Sequence, residues 1–232
     1  MHIPDGGFLS VPVYMATNAL AVGALAVSAR QARKQLEDRA VPLMGVMGAF
    51  IFAAQMINLP VPGGTSGHLL GGTLLAIALG PWIGSLVMAS VLLLQALLFG
   101  DGGLLVFGAN FLNMGLVGTW GGYAVYRAVR ALVPGRVGLY VGAAVAAWLA
   151  MVAGAALAGV EIGLSRTAPL ATVTGAMVAV HAVIGLIEAG VTVAVVRYLA
   201  ATRPDLLTMP LVASAPPADA SAPAGATREA VR

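Results

Sequence analysis

Charged residues are scarce in this chain of 232 residues: Lys and Arg number 12, Asp and Glu number 9, and together they make up 9%. Soluble domains average roughly 25% charged residues. So few charges cannot cover the surface of a soluble fold, and the 59% share of apolar residues points the same way. The composition excludes a soluble globular protein, a coiled coil and a disordered protein. It also excludes a nucleic-acid binder, because the formal net charge is only +3 and the basic residues cluster at segment ends.

Cysteine is absent and aromatic residues make up only 6% of the chain. Without cysteine there are no disulfides, thiolate metal sites or cysteine nucleophiles. Any metal site has to use His, carboxylate or backbone groups. The Walker A lysine motif is also missing, so we expect that the chain does not hydrolyse ATP itself. We expect a protein that is not an enzyme.

Long apolar runs are what the chain has instead. Residues 41–100 contain no Asp, Glu, Lys or Arg, whereas one membrane-spanning helix needs only about 20 apolar residues. The third apolar segment of the chain, from about residue 69, is short and ends at Gly80-Pro81. We predict an all-α polytopic membrane protein with about seven transmembrane helices, near 11–29, 41–58, 69–80, 82–99, 109–130, 137–160 and 170–198.

The basic residues predict how the chain lies in the membrane. Seven spans put eleven of the 12 Lys and Arg residues on one side and only Arg166 on the other. Cytoplasmic loops carry the excess of Lys and Arg. We therefore expect the N-terminus outside and the C-terminus in the cytoplasm, in the cell inner (plasma) membrane. No positive charge precedes residues 11–29, so we expect no cleaved signal peptide there.

Three regions follow from this division. Residues 1–10 contain Pro4, Asp5 and two glycines and suit a compact turn that plugs into the protein; we call them the N-terminal plug. Residues 11–202 form the seven-helix transmembrane domain. Residues 203–232 are rich in Ala and Pro and predict a disordered cytoplasmic tail.

Two of the three histidines, His2 and His68, are expected on the outer face. The Met1 amine, the His2 backbone nitrogen and the His2 Nδ1 atom can bind one metal ion in adjoining five- and six-membered chelate rings. A further imidazole, from His68, would complete a planar set of four nitrogens. Such a set suits Ni(II), Cu(II) or low-spin Co(II) and disfavours Zn(II), Mg(II) and Ca(II). The alternative is a solvated chain terminus without a ligand.

Other polar residues near these histidines are candidates for holding them or the plug, with loop or helix capping as the alternative. A metal-ligating His usually donates its second ring nitrogen to a neighbouring acceptor. The candidates are Asp5, Gln55, Asn58, Thr65, Ser66, Asp101, Asn110 and Asn113.

His181 and Glu188 lie inside the last predicted span, and ionisable residues within a membrane are functional hypotheses by default. They could line an ion exit path or, as we favour, tie this helix to its neighbours. Glu161 and Arg166 are expected in a solvated outer loop. Gly45, Ala49 and Ala53 form a small-residue stripe that suits either internal helix packing or contact with another protein.

Several strings in the sequence resemble the nickel/cobalt substrate-binding subunits of energy-coupling-factor transporters (the NikM/CbiM family). They are MHIPDGGFLS at the start, QMIN with GTSGHL at 55–69, the stretch 95–114 around FGDGG and GANFLNM, and HAVIGLIEAG at 181–190. The likeness covers about residues 1–200. It departs from the family pattern in a doubled glycine, Gly6-Gly7, which lies outside the proposed chelate.

The resemblance implies a function and a set of ligands. It implies that Met1, His2 and His68 bind the transported Ni(II) or Co(II), with no organic cofactor. It also implies seven helices, a transmembrane coupling subunit, two cytoplasmic ATPase subunits and, in some systems, a small auxiliary membrane subunit as partners. Subunits of this class present small-residue faces to the coupling subunit, which makes Gly45, Ala49 and Ala53 the candidate docking face.

Three other functions stay open from the residues. One is a related subunit for an organic vitamin, which would need an aromatic-lined pocket that the low aromatic content disfavours. A second is an intramembrane metalloenzyme, for which a His-Glu-x-x-His motif is missing. A third is a channel or structural membrane protein without transport of metal. The residues do not distinguish nickel from cobalt.

Overall fold

A computed structural model of the chain describes residues 1–36, 40–57, 59–61 and 65–207. They are mostly helical, as predicted. The helices are α1 (Val11–Gln35), α2 (Ala40–Gln55), α3 (Gly72–Leu79), α4 (Pro81–Leu94), α5 (Phe107–Asn110), α6 (Gly122–Leu132), α7 (Gly135–Leu164) and α8 (Leu170–Thr202). Pro204–Leu207 add one 3₁₀ turn.

Two stretches of π-helix join these elements. Gln95–Phe99 continue α4, and Phe111–Gly121 connect α5 to α6, so that residues 107–132 form one helical rod. π-helical turns are rare and are frequent at functional sites. The longer stretch packs closely against α3, because a Cβ atom added at Gly72 would lie 2.8 Å from the main chain of Gly118.

The short third helix is confirmed at its predicted end. α3 stops at Leu79, Gly80 follows with φ = 79°, and Pro81 begins α4. The left-handed backbone at Gly80 suits glycine, and the proline ring is preorganised for a first helical turn. All residues of α3 are buried, as expected for a helix that is apolar on every face.

Four helical stretches among the described residues are long and apolar enough to cross a membrane: Val11–Gln35, Pro81–Phe99, Gly135–Leu164 and Leu170–Thr202. Ala40–Gln55 is a shorter apolar helix. Large apolar side chains such as Leu20, Val22 and Leu186 are exposed on the outer surface of the bundle. Exposed apolar surface on this scale suits contact with lipid rather than water.

The loop after α2 contains a β-hairpin, which the all-α prediction did not include. β1 (Leu59–Val61) pairs antiparallel with β2 (Thr65–Gly67), in the register Leu59–Gly67. Pro60, and Pro62 after Val61, explain the extended backbone, because proline also disfavours helix for the residue before it. The hairpin leads directly into His68.

The helical part of the chain extends slightly beyond the last predicted span. α8 runs to Thr202, and Leu206 in the following 3₁₀ turn is buried. The predicted disorder of the tail concerns mainly residues 208–232, which lie outside the described residues.

Candidate metal centre

The N-terminal amine and His68 meet in the interior of the protein. The Met1 nitrogen lies 3.1 Å from His68 Nε2. His68 Nδ1 donates to the Leu69 carbonyl oxygen at 2.8 Å, which places the ring proton on Nδ1 and leaves a lone pair on Nε2. His68 is therefore oriented to offer Nε2 as a ligand beside the amine.

The ring of His2 lies against the ring of His68, with centroids 4.6 Å apart and a tilt of 39°. His2 Nδ1 is 2.7 Å from Asp101 Oδ1, a close ion-pair contact. Apart from this contact, neither ring nitrogen of His2 has a hydrogen-bond partner among the described residues. Because buried polar atoms are nearly always bonded, these two nitrogens indicate a site for a ligand.

Burial prepares the nitrogens for metal binding. It lowers the pKa of the Met1 amine to about 6, although the Asp101 carboxylate opposes this shift. Burial, aided by the positive charge of Met1, lowers the pKa of His68 well below its usual value. The contact with His2 lowers the pKa of Asp101. Near pH 7 the amine and the His68 ring are thus mostly neutral and able to bind a cation, and Asp101 supplies a negative charge.

Main-chain hydrogen bonds fix the N-terminal plug. Ile3 N donates to Asn110 Oδ1 at 2.8 Å, and Asn110 Nδ2 donates to Ile3 O at 2.9 Å. Asp5 accepts from the backbone of Leu104 at 2.9 Å and of Leu105 at 3.1 Å. A Cβ atom at Gly103 would lie 2.6 Å from Asp5 N, so glycine is needed for this approach. The plug is therefore held at Ile3 and Asp5, directly after His2.

Two residues that the sequence did not single out also support this region. Asn18 of α1 donates to Leu105 O and accepts from Gly108 N, both at 2.7 Å. Thr167 Oγ1 donates to Phe8 O at 2.7 Å. Asn18 lies within α1 and Thr167 lies before α8, and neither residue type by itself indicates a contact with a distant loop.

The segment that follows His68 is held by two buried side chains. Glu188 of α8 accepts hydrogen bonds from Leu70 N at 2.9 Å and Gly71 N at 2.8 Å. Gln55 donates to Leu70 O at 2.7 Å. Both side chains contact the backbone after His68 and fix its position from opposite sides of the chain.

Asn113 lies in the π-helical stretch, and its side-chain hydrogen bond goes to α7 rather than to the plug. Its Nδ2 donates to Glu161 Oε2 at 2.7 Å. The expectation that Glu161 lies in a solvated loop is wrong: α7 extends to Leu164, and Glu161 is only 4% exposed. Arg166 is exposed, as expected, with a left-handed backbone (φ = 59°).

The remaining candidates lie in different places. Asn58 is outside the described residues, and Thr65 and Ser66 belong to β2. His181 is buried in α8 below the hairpin. Gly45, Ala49 and Ala53 are exposed on α2, and the first two line an apolar groove of about 660 Å³ beside α4.

A metal ion held here would need main-chain donors as well as side chains. Within the described residues, no group of three or more His, Cys, Asp or Glu side chains could hold a metal ion. Two bonds of about 2.05 Å at a right angle would separate neighbouring nitrogen ligands by about 2.9 Å. The Met1–His68 separation of 3.1 Å is close to this value. His2 Nδ1 would have to exchange its contact with Asp101 for the ion.

Asn110→Ala is expected to lower metal affinity about 10–100-fold, the usual cost of losing a group that positions a ligand. The change removes both hydrogen bonds to Ile3 and so loosens the residue next to His2. Asn113→Ala is the matched control, because Asn113 bonds to Glu161 instead. Calorimetry with Ni(II) on both purified variants tests this. Equal losses of affinity in both would contradict a specific role for Asn110.

The chain is similar in sequence to known metal-transport proteins. Residues 2–206 match the family CbiM, described as the cobalt uptake substrate-specific transmembrane region. A protein of Archaeoglobus fulgidus, provisionally named as a fused nickel transport protein, is 42% identical over 89% of this chain and 68% of the relative. A cobalt transport protein of Sorangium cellulosum is 34% identical over 89% of this chain and 94% of the relative.

A solved structure has the same fold. The crystal structure of a transition metal transporter superposes with a TM-score of 0.80 at 36% identity, over 87% of this chain and 93% of that one. With the family match, this confirms the resemblance stated from the sequence. The chain belongs to the CbiM family of membrane proteins for cobalt and nickel transport.

Proposed function

We propose that the protein is the substrate-binding subunit of an energy-coupling-factor importer for Ni(II) or Co(II). The observation that carries the proposal is the meeting of the Met1 amine, the His2 ring and His68 Nε2 in one buried cluster. The four ligands are the Met1 amine, the His2 backbone nitrogen, His2 Nδ1 and His68 Nε2. The ion is the cargo, and no covalent chemistry is performed on it.

The order of donors favours a planar site. In the chelate, the backbone nitrogen of His2 lies between the amine and the imidazole, so the fourth ligand sits beside both of them. The short Met1–His68 distance of 3.1 Å agrees with this neighbouring position. Planar nitrogen sites favour Ni(II) and low-spin Co(II) over oxygen-seeking Mg(II) and Ca(II). The backbone nitrogen has to lose its proton, so binding should release protons and strengthen with rising pH.

Membrane topology completes the proposal. The protein has seven spans, with the plug on the outer face and the tail in the cytoplasm. The ion enters from outside, and the plug and the hairpin strands β1 and β2 close over it. A coupling subunit docks on the exposed Gly45, Ala49 and Ala53 face of α2, where small residues allow close helix approach. ATP hydrolysis by two partner subunits then reorients the chain and opens the site inward.

Metal titration of the purified full chain tests the proposed cargo. We expect one Ni(II) or Co(II) per chain, no competition from a large excess of Mg(II) or Ca(II), and weaker binding of Zn(II). Membrane vesicles that also hold the coupling and ATPase subunits should take up Ni(II) or Co(II) only with ATP. Absence of binding, or ready displacement by Mg(II), would contradict the proposal and return attention to an organic ligand or a non-transport role.

A further inference from the structure

His181 carries a buried nitrogen that the proposed four-ligand site does not use. The residue is 3% exposed on α8. Its Nδ1 donates to the Met177 carbonyl oxygen at 2.8 Å, which leaves the lone pair on Nε2. This Nε2 atom is buried and has no hydrogen-bond partner in the described part of the chain. Buried polar atoms in proteins are nearly always hydrogen-bonded, so this unpaired nitrogen is available to a ligand.

The free nitrogen faces the residue that precedes His68. A Cβ atom placed on Gly67 would lie 3.9 Å from His181 Nε2 and would collide with the end of Ile184. Because Gly67 has no side chain, this nitrogen lies close to the backbone at the start of the His68 segment.

The side of α8 that carries His181 also contacts the residues on either side of His68. Ile184 and Glu188 come three and seven residues after His181 and therefore share its side of the helix. Ile184 reaches Gly67, and Glu188 binds the backbone of Leu70 and Gly71. This face of α8 lies against residues 67–71. Both Glu188 oxygens are already bonded, whereas His181 Nε2 is an unpaired nitrogen on the same face.

We propose that His181 Nε2 is the receiving ligand for the ion when it leaves His68. In this exchange a bond from His181 Nε2 to the ion forms as the bond from His68 Nε2 breaks, without transfer of a proton or an electron. Both donors are neutral imidazole nitrogens, so Ni(II) and Co(II) bind them with the same preference. The hydrogen bond to Met177 holds the His181 ring in the required tautomer. The inference rests on the proposed function and adds the first inward step.

Ligand replacement in the purified full chain tests the exchange. His68→Ala removes the outer imidazole, and we expect it to weaken Ni(II) binding without abolishing it, because His181 takes the vacant place. Adding His181→Asn should lower the remaining affinity at least about tenfold. Asparagine can still donate to the Met177 carbonyl but lacks the Nε2 ligand. His181→Asn alone should leave equilibrium affinity within about twofold, since His68 still completes the planar set.

A spectroscopic measurement tests the same step without altering His181. The chain has three histidines, so the His68→Ala variant with ¹⁵N-labelled histidine retains only His2 and His181. We expect the Nε2 signal of His181 to shift when Ni(II) is added. An unshifted signal, together with equal affinities of His68→Ala and the double variant, would overturn the inference.

The outcome separates this inference from the proposed function. If the wild-type chain binds neither Ni(II) nor Co(II), the proposed function fails and the inference fails with it. If wild-type binding is tight and depends on His2 and His68, but the His181 signal does not shift and the double variant binds as His68→Ala does, only the inference fails.

Discussion

His2→Ala is expected to lower the affinity for Ni(II) and Co(II) by more than about a hundredfold. Loss of a group that merely orients a ligand costs 10–100-fold, and His2 supplies a ligand itself. Alanine retains the backbone nitrogen but loses the imidazole and with it the six-membered chelate ring. The ring of His2 is also the one packed against His68, so no other imidazole among the described residues stands in its place.

Calorimetry on the purified chain, with His181→Asn as the matched histidine replacement, gives the measurement. Both variants lose one imidazole, but only His2→Ala removes a ligand of the outer site. An affinity within about tenfold of wild type would place the ion elsewhere. Equal losses in the two variants would mean that general damage to the fold, rather than ligation, lowers the affinity.

Glu188→Ala is expected to destabilise the protein by about 2–6 kcal/mol. The carboxylate accepts hydrogen bonds from Leu70 N and Gly71 N, and each unpaired buried donor costs roughly 1–3 kcal/mol. Leu70 is 1% exposed and Glu188 2%, so water cannot replace the lost acceptor. Because His68 lies two residues before Leu70, metal affinity should fall as well.

Two variants separate the hydrogen bonds from simple loss of volume. Glu188→Gln keeps the size and one acceptor oxygen but directs an NH₂ group at a backbone N–H, so its loss of stability should be intermediate. Thr192→Val changes another buried residue of α8, one helical turn later, and should cost less than about 1.5 kcal/mol. Denaturant unfolding in detergent measures all three. A Glu188→Ala loss no greater than that of Thr192→Val would contradict the role of the carboxylate.

The sequence predicted the features that depend on composition and on local chain breaks. The long apolar runs predicted helices, and Gly80-Pro81 predicted the end of α3. The proximity of His2 and His68 followed from placing both on one face of the membrane. These inferences succeed because hydropathy, proline and glycine act over a few residues and need no knowledge of distant partners.

Contacts between distant segments could not be predicted in the same way. The spacing of His181 and Glu188 in the sequence does not indicate that Glu188 accepts hydrogen bonds from the backbone after His68. Glu161 looked solvated because a carboxylate near a helix end is normally exposed, whereas the longer α7 buries it against Asn113. Asn18 likewise acts on a loop about ninety residues away. Such pairings depend on how helices pack, and helix packing leaves little trace in a single sequence.

The most direct test of the central claim is to move the free amine while leaving every side chain unchanged. A chain with one serine added before Met1, released by cleavage of a fusion, is compared with the native N-terminus in Ni(II) and Co(II) calorimetry. The Met1 nitrogen lies 3.1 Å from His68 Nε2, and the added residue converts this amine into an amide. We predict that tight binding is lost in the extended chain. Unchanged binding would show that the amine is not a ligand and would contradict the proposed chelate.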